Sequence, residues 1–249
     1  MTVLEIIENN RSTKEKSLNL KGIKLRILPE QIFSLTHLEE LVLDNNELVE
    51  LPEEIGKLTK LKTLSLGEND FVELPESIGK LKELRHFYLG YNLLSDLPES
   101  IGELKKLEQL NVASNSLISL PASIRQLASL QKLSLHDNLL TTLPSSIGRL
   151  SSLKRAYFDN NELVELPETI GGLRSLQKLI VSNNKLTQIP DSIGELIELQ
   201  ELVIENNRLR SLPETLGGLP QLQSLCIGGN PITSIPQSLR EKKGLKIDH

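Results

Sequence analysis

The sequence predicts an α/β repeat solenoid, in which stacked copies of one unit each give a short strand to a parallel sheet and a short helical turn to the opposite side. Three observations predict it. The pattern LxxLxLxxNxLxxLPxxIGxLxx holds from residue 15 to residue 244, which is ten units of 23 residues. A fixed period in that range means layers that bury their apolar sides against their neighbours. Leucine supplies 53 of the 249 residues, against four Phe, three Tyr and no Trp, so the core is built from aliphatic layers. Within each unit xxLxLxx alternates with period two, the mark of a strand with one buried face and one open face.

Each element follows in order. Residues 1–14 form an N-terminal helical cap: Thr2 and Glu5 stand in capping-box spacing, and Val3, Leu4, Ile6 and Ile7 make one apolar stripe, so a short helix over 2–10 covers the first layer. The first unit then departs from the pattern, with Ile23 in place of asparagine and Phe33 in place of glycine. The second is regular, reading Leu38, Leu41, Leu43, Asn46, Leu48, Leu51, Pro52, Ile55, Gly56, Leu58. Ten strands line up in parallel, and the remaining residues of each unit supply the crossover that parallel neighbours need. Proline at 29, 52, 75, 98, 121, 144, 167, 190, 213 and 236 ends the extended piece and presets φ for a helical turn. An acid follows in most units, where it suits a helix N-terminus. Glycine at 56, 79, 102, 148, 171, 194 and 217 is expected to close that turn. Asparagine at 46, 69, 92, 115, 138, 161, 184, 207 and 230 sits where the chain leaves the strand, and a buried amide there must bond turn backbone in its own and adjacent units. In the tail, residues 245–249, Leu245 restarts the unit at its first position and Ile247 follows, which reads as a tail or the start of a truncated unit.

This pattern resembles the leucine-rich repeat superfamily, and within it the 23-residue LPxxIGxL class found in Ras-pathway scaffolds, in adaptors that also carry PDZ domains, in plant Ras-group proteins and in many bacterial proteins. The resemblance implies a right-handed, curved solenoid with a parallel β-sheet on the concave face and short helical or 3-10 turns and extended segments on the convex face, used for protein binding in signalling or scaffolding. The head is similar to those preceding bacterial repeat arrays, including arrays joined to Ras-like GTPase domains. Two other settings are therefore implied: a regulatory region of a larger GTPase or signalling enzyme, and a bacterial secreted or surface effector.

Charge and motifs narrow the function classes. The formal net charge of −5, from 28 basic and 33 acidic residues without a long like-charged block, argues against a nucleic-acid groove, which should be strongly positive. No stretch of about 18 apolar residues exists to insert into a membrane, and the N-terminus lacks a basic region followed by an apolar one. A cytoplasmic protein is expected, with secretion lacking a cleavable signal as the alternative. One cysteine, Cys226, allows no internal disulfide and fits a reducing compartment; it reads as a surface thiol. No phosphate-binding, dinucleotide, zinc-protease or nucleophile-elbow motif occurs, so neither an enzyme nor a cofactor is expected. Ser134, His136 and Asp137 are neighbours in sequence, but a triad needs three groups converging in space. His86 and His136 sit about 10 Å apart by strand spacing, without a third metal ligand.

The side chains that stacking leaves unconstrained are those at the second, third, fifth, seventh and eighth positions of each unit. All three tyrosines fall there: Tyr88 and Tyr91 in the fourth unit and Tyr157 in the seventh. Tyr88 and Tyr157 would be about 14 Å apart, within the span of one epitope. Tyrosine gives a large rigid contact with a polar tip, so a protein or peptide site is expected there. Arg85, His86, Asn111, His136, Asp137, Arg155 and Asp159 surround the tyrosines. Leu93 and Leu139, in a normally polar position, extend apolar surface along one rim. The open solenoid ends offer a route to self-association.

Overall fold

The computed structural model describes residues 2–249, and its framework is a single parallel sheet whose eleven strands follow chain order. They are β1 (Ser17–Asn19), β2 (Glu40–Val42), β3 (Thr63–Ser65), β4 (His86–Tyr88), β5 (Gln109–Asn111), β6 (Lys132–Ser134), β7 (Arg155–Tyr157), β8 (Lys178–Ile180), β9 (Glu201–Val203), β10 (Ser224–Cys226) and β11 (Lys246–Asp248). Each strand is three residues long because only the fourth-position side chain points inward between two outward ones. Leu41, Leu64, Phe87, Leu110, Leu133, Ala156 and Leu179 are buried there in register. The leucines at positions one, six, eleven and fourteen fill the same layers, giving one continuous apolar core. The sheet lines the concave face of the solenoid, and short 3-10 turns return on the convex side.

Each return turn begins directly after proline, as in Glu53–Lys57 behind Pro52 and Glu99–Glu103 behind Pro98. Proline supplies the extended residue that caps the turn, at φ −62 and −66 in these two cases. The acid that follows reaches the next turn: Glu53, Glu76 and Glu99 carboxylates accept from the backbone N–H of Ser77, Ser100 and Ser123 at 3.1, 3.2 and 3.1 Å. Glycine does not close these turns, contrary to the sequence expectation; the closing residue is the leucine after them, such as Leu58. The reason for glycine is close approach between layers. A Cβ on Gly102 would lie 2.6 Å from both the Cβ and the carbonyl oxygen of Ser123, and one on Gly148 would lie 2.0 Å from the Thr169 carbonyl oxygen.

The asparagine column holds neighbouring layers together. Asn69 donates to the carbonyls of Leu43 and Leu66 at 3.0 and 3.1 Å and accepts from the N–H of Leu48 at 3.1 Å, so one amide satisfies backbone in two repeats. The same set recurs at Asn92, Asn138, Asn161, Asn184 and Asn207.

At the N-terminal end α1 (Val3–Thr13) carries the complete capping box between Thr2 and Glu5 and runs three residues beyond the Asn10 expected as its end. Ile7 and Asn10 are its buried residues. Asn10 donates to the carbonyls of Glu15 and Ser17 at 3.2 and 2.9 Å, and His37 Nε2 lies 3.0 Å from its Oδ1. At the other end α2 (Gln237–Arg240) replaces the 3-10 turn, and the tail adds β11 where ten strands were expected. Ile247 pairs with Leu225, a step of 22 residues, so Leu245 does not restart the unit in register. The last crossover is one residue short because it runs through α2 and through Gly244 at φ +81.

Candidate partner-binding site on the concave face

The open side of the sheet can be read along columns, since register places equivalent positions side by side. In the fifth-position column Tyr88, Asn111, Ser134 and Tyr157 are successive partners on β4 to β7. Tyr88 and Tyr157 therefore stand as two walls about 14 Å apart, three strand spacings. Between them the floor is low: Ser134 and Ala113 are buried, Asn111 is half-buried with its side chain turned to accept from Ala113 N–H at 3.0 Å, and Gly90 adds no side chain.

Both walls are held in place. The Tyr88 ring stacks on His86, with centroids 6.4 Å apart and planes 4° from parallel, and its hydroxyl donates to Gln109 Oε1 at 3.3 Å. Partial burial pushes the Tyr88 phenol above its ordinary range. Lys132 Nζ lies 5.5 Å from the centroid of the Tyr157 ring, a cation–π contact that fixes that ring from the neighbouring strand. His86 Nδ1 also lies 3.4 Å from Thr63 Oγ1.

Charge is divided across the trough. Where the strands begin, Lys132, Arg155 and Lys178 are consecutive partners on β6 to β8, with Lys178 paired to Glu201 at 2.7 Å. Where the chain leaves the strands, Asp137 and Asp159 form the opposite bank. Asp137 holds His136 Nδ1 at 2.8 Å. Burial, with the nearby Asp137 adding to it, raises the Asp159 carboxyl above its usual range against the pull of His136. Arg85 lies one residue before β4 and pairs with Glu108.

Eight of the ten residues singled out from the sequence thus belong to β4 to β7 or lie within two residues of those strands, while Tyr91 and Asp137, at one and the same position of their repeats, lie in the turn that follows. Tyr91 departs from the expectation. It lies in the turn after β4 at φ +58, is 65% exposed, and stands at the border between the concave face and the flank. Each repeat is left-handed at this point, from Gly22 through Asp137 to Gly229, so the strand alternation does not extend that far. Gln109, Lys132 and Ser134 were not singled out, although reading one position down successive repeats places them beside the tyrosines.

Ser134, His136 and Asp137 do not converge as a triad, because the Asp137 carboxylate binds the imidazole while Ser134 is buried in the floor and makes no hydrogen bond to it. Among the described residues no group of three His, Cys, Asp or Glu side chains could hold a metal ion, and no helix is long and apolar enough to cross a membrane. Cys226 on β10 is half-buried, with Ser224 Oγ at 3.9 Å and Asp248 Oδ2 at 3.6 Å, and burial raises its thiol pKa, which disfavours the reactive thiolate.

Two family models match the chain: one described as leucine-rich repeat region over residues 16–119 and 76–159, and one described as leucine rich repeat over 174–232. No curated protein gives a significant match. Among solved structures, the plant peptide hormone receptor RGFR1 in complex with RGF2 is 33% identical with a TM-score of 0.83, over 97% of this chain and 40% of that one. The Drosophila Toll–Spatzle complex is 25% identical with a TM-score of 0.83, over 94% of this chain and 32% of that one. The chain therefore spans less than half the length of either of those chains. A Leptospira interrogans repeat protein is 24% identical with a TM-score of 0.60 over 100% of this chain and 98% of that one, which shows the fold alone.

Proposed function

The chain belongs to the leucine-rich repeat family, and from that premise we propose that it is a non-enzymatic interaction module, in signalling or scaffolding, that captures a protein or peptide on its concave face. The observation that carries this reading is the pair of tyrosine walls, Tyr88 and Tyr157, over a floor of small side chains. Aromatic anchors dominate binding energy where they are rigid and partly desolvated. His86 with Gln109 and Lys132 hold the two rings before any partner arrives, so little ordering cost remains to be met on binding. Arg85, Asn111, His136, Asp137, Arg155 and Asp159 complete the surround, with Tyr91 at its border. The split into a basic and an acidic bank suits a polypeptide carrying both charges better than a polyanion. Two structures similar to this chain are a plant peptide hormone receptor in complex with RGF2 and the Toll–Spatzle complex, which supports capture of a polypeptide. A cytoplasmic setting is in keeping with a single cysteine, which leaves no internal disulfide to form.

The test is affinity capture from the native cell with the Tyr88→Ala/Tyr157→Ala variant as control. Both side chains face solvent on one side, so the variant keeps its melting temperature within a few degrees and loses capture. Full capture by the double variant would place the partner elsewhere and overturn the reading.

A further inference from the structure

A second surface lies on the flank, between the turn that follows each strand and the 3-10 turn. Here the tenth and twelfth positions of each repeat point outward on either side of a buried leucine or phenylalanine. Six consecutive repeats, the second to the seventh, each place one large apolar side chain in this stripe: Val49, Val72, Leu93, Ile118, Leu139 and Val164, all 47% to 60% exposed. They are more than half of the eleven large exposed apolar residues of the described chain, gathered on one flank rather than scattered. The flank is also rigid, since from the second repeat to the ninth the tenth-position N–H donates to the preceding layer, as from Leu93 to the Phe71 carbonyl at 2.9 Å and from Leu139 to the Leu117 carbonyl at 3.0 Å.

At the tenth, twelfth and thirteenth positions the second and third repeats carry charge opposite in sign to the eighth and ninth. In the second and third repeats the flank carries Glu47, Glu50, Asp70 and Glu73 and no base; in the eighth and ninth it carries Lys185, Arg208 and Arg210 and no acid. Glu47 is paired with Arg26 and Lys185 with Glu162. Glu50, Asp70, Glu73, Arg208 and Arg210 make no ion pair in the described chain. An apolar centre between an acidic arm and a basic arm is complementary to itself when reversed.

We propose that a second copy of this chain docks on this flank, antiparallel, about a two-fold axis between the fifth and sixth repeats. That axis sets Ile118 against Leu139 and Leu93 against Val164 in both halves, the acids of the second and third repeats against the bases of the ninth and eighth. Such an interface is isologous, each patch meeting its own copy. One like-charged pair, Asp96 of the fourth repeat against Glu162 of the seventh, falls at the rim, where Lys185 already binds Glu162 and solvent screens the remainder. Eight layers at about 4.8 Å and a stripe about 15 Å wide give about 500 Å² per copy, or about 1,000 Å² in total, the size of a weak, reversible dimer. The flank is separate from the tyrosine trough, so both surfaces can be occupied at once.

Sedimentation equilibrium of the full chain up to about 200 μM tests this, that being the range in which an interface of such size associates. Wild-type protein is expected to pass reversibly from monomer to dimer. Ile118→Glu/Leu139→Glu is expected to stay monomeric with an unchanged far-ultraviolet spectrum and melting temperature. Arg208→Glu/Arg210→Glu should weaken association at least tenfold, and adding Glu47→Arg/Glu50→Arg, in the second repeat that faces the ninth, to that variant should restore it. A wild-type protein that remains monomeric throughout overturns the proposal, as does a dimer that survives Ile118→Glu/Leu139→Glu. Failure of the fourfold charge swap to restore association overturns the antiparallel register.

Discussion

At the scale of single residues, the asparagine column shows how a polar group becomes structural. Asn138 is buried and donates to the carbonyls of Val112 and Leu135 at 2.9 and 3.0 Å while accepting from Leu117 N–H at 3.0 Å. Asn138→Leu keeps a similar volume and leaves those backbone groups without partners, so stability measured by urea unfolding should fall by about 2 to 3 kcal/mol. This role was legible in the sequence because an amide that recurs at the end of every strand is buried by the stacking and must find its partners in turn backbone. Tyr91 was not, because the period-two pattern gives no sign that the chain turns left-handed three residues after Tyr88. A charged residue offers a different test. Glu39 sits between Lys16 and Lys62, with Lys16 Nζ at 2.6 Å and Lys62 Nζ at 2.5 Å, and their hydrogen bonds hold its carboxyl at about 2. A folded pKa below the unfolded one contributes stability that is present above the ordinary glutamate range and is lost as pH falls through about 2. A carboxyl titration followed by NMR should give Glu39 a midpoint near that value, and Lys62→Ala should move it upward; a midpoint in the ordinary range for the wild type would contradict the paired geometry.

At the scale of elements, the strands and turns were legible because each is dictated locally, by alternation for the strands and by proline for the turns. What glycine does there was not, since its reason lies in the next repeat. The 3-10 turns stack so closely that the Gly102 Cα faces Ser123 with no room for a methyl group. Gly102→Ala removes chain entropy from the unfolded state, which favours folding slightly, but drives a Cβ to 2.6 Å from backbone oxygen. The clash should win, lowering stability by about 1 to 3 kcal/mol in chemical denaturation. The same change at Gly218, whose added Cβ meets nothing within 4 Å, is the control and should be neutral within about 0.5 kcal/mol. Equal losses at both sites would mean that helical propensity, not interlayer contact, selects glycine. The eleventh strand was also hidden from the sequence, because a 22-residue last step breaks the period that identified the other ten.

At the scale of the whole molecule, each layer touches only its neighbours, so stability is a sum of layer and interface terms and opening begins at the weaker end. The two ends are unequal. The first layer is covered by the eleven residues of α1, which bury Ile7 and tie Asn10 into the backbone beside β1. At the other end α2 is the return turn of the tenth repeat itself, no helix among the described residues covers β11, and Ile232, Ile235 and Ile247 remain partly exposed. The solenoid should therefore fray from its C-terminal end while β4 to β7, which carry the tyrosine trough, stay closed. Amide exchange gives a direct reading. The N–H of Ile227, bonded to the Asp248 carbonyl at 2.8 Å, should exchange well before that of Leu20, bonded to the Val42 carbonyl at the same distance, although each bond joins the two outermost layers at its end. Two core substitutions separate this from uniform stability. Leu225→Ala and Leu133→Ala remove equally buried side chains, each costing about 2 to 5 kcal/mol locally. Leu225→Ala should lower protection in β9 to β11 and leave the trough and its partner capture intact, because the layers beyond β10 can open alone. Leu133→Ala should lower protection in β4 to β7 and weaken capture through the trough. If both substitutions reduced protection evenly along the chain, the array would be unfolding as one cooperative unit, and the tyrosine trough would owe its rigidity to the whole solenoid rather than to its central position.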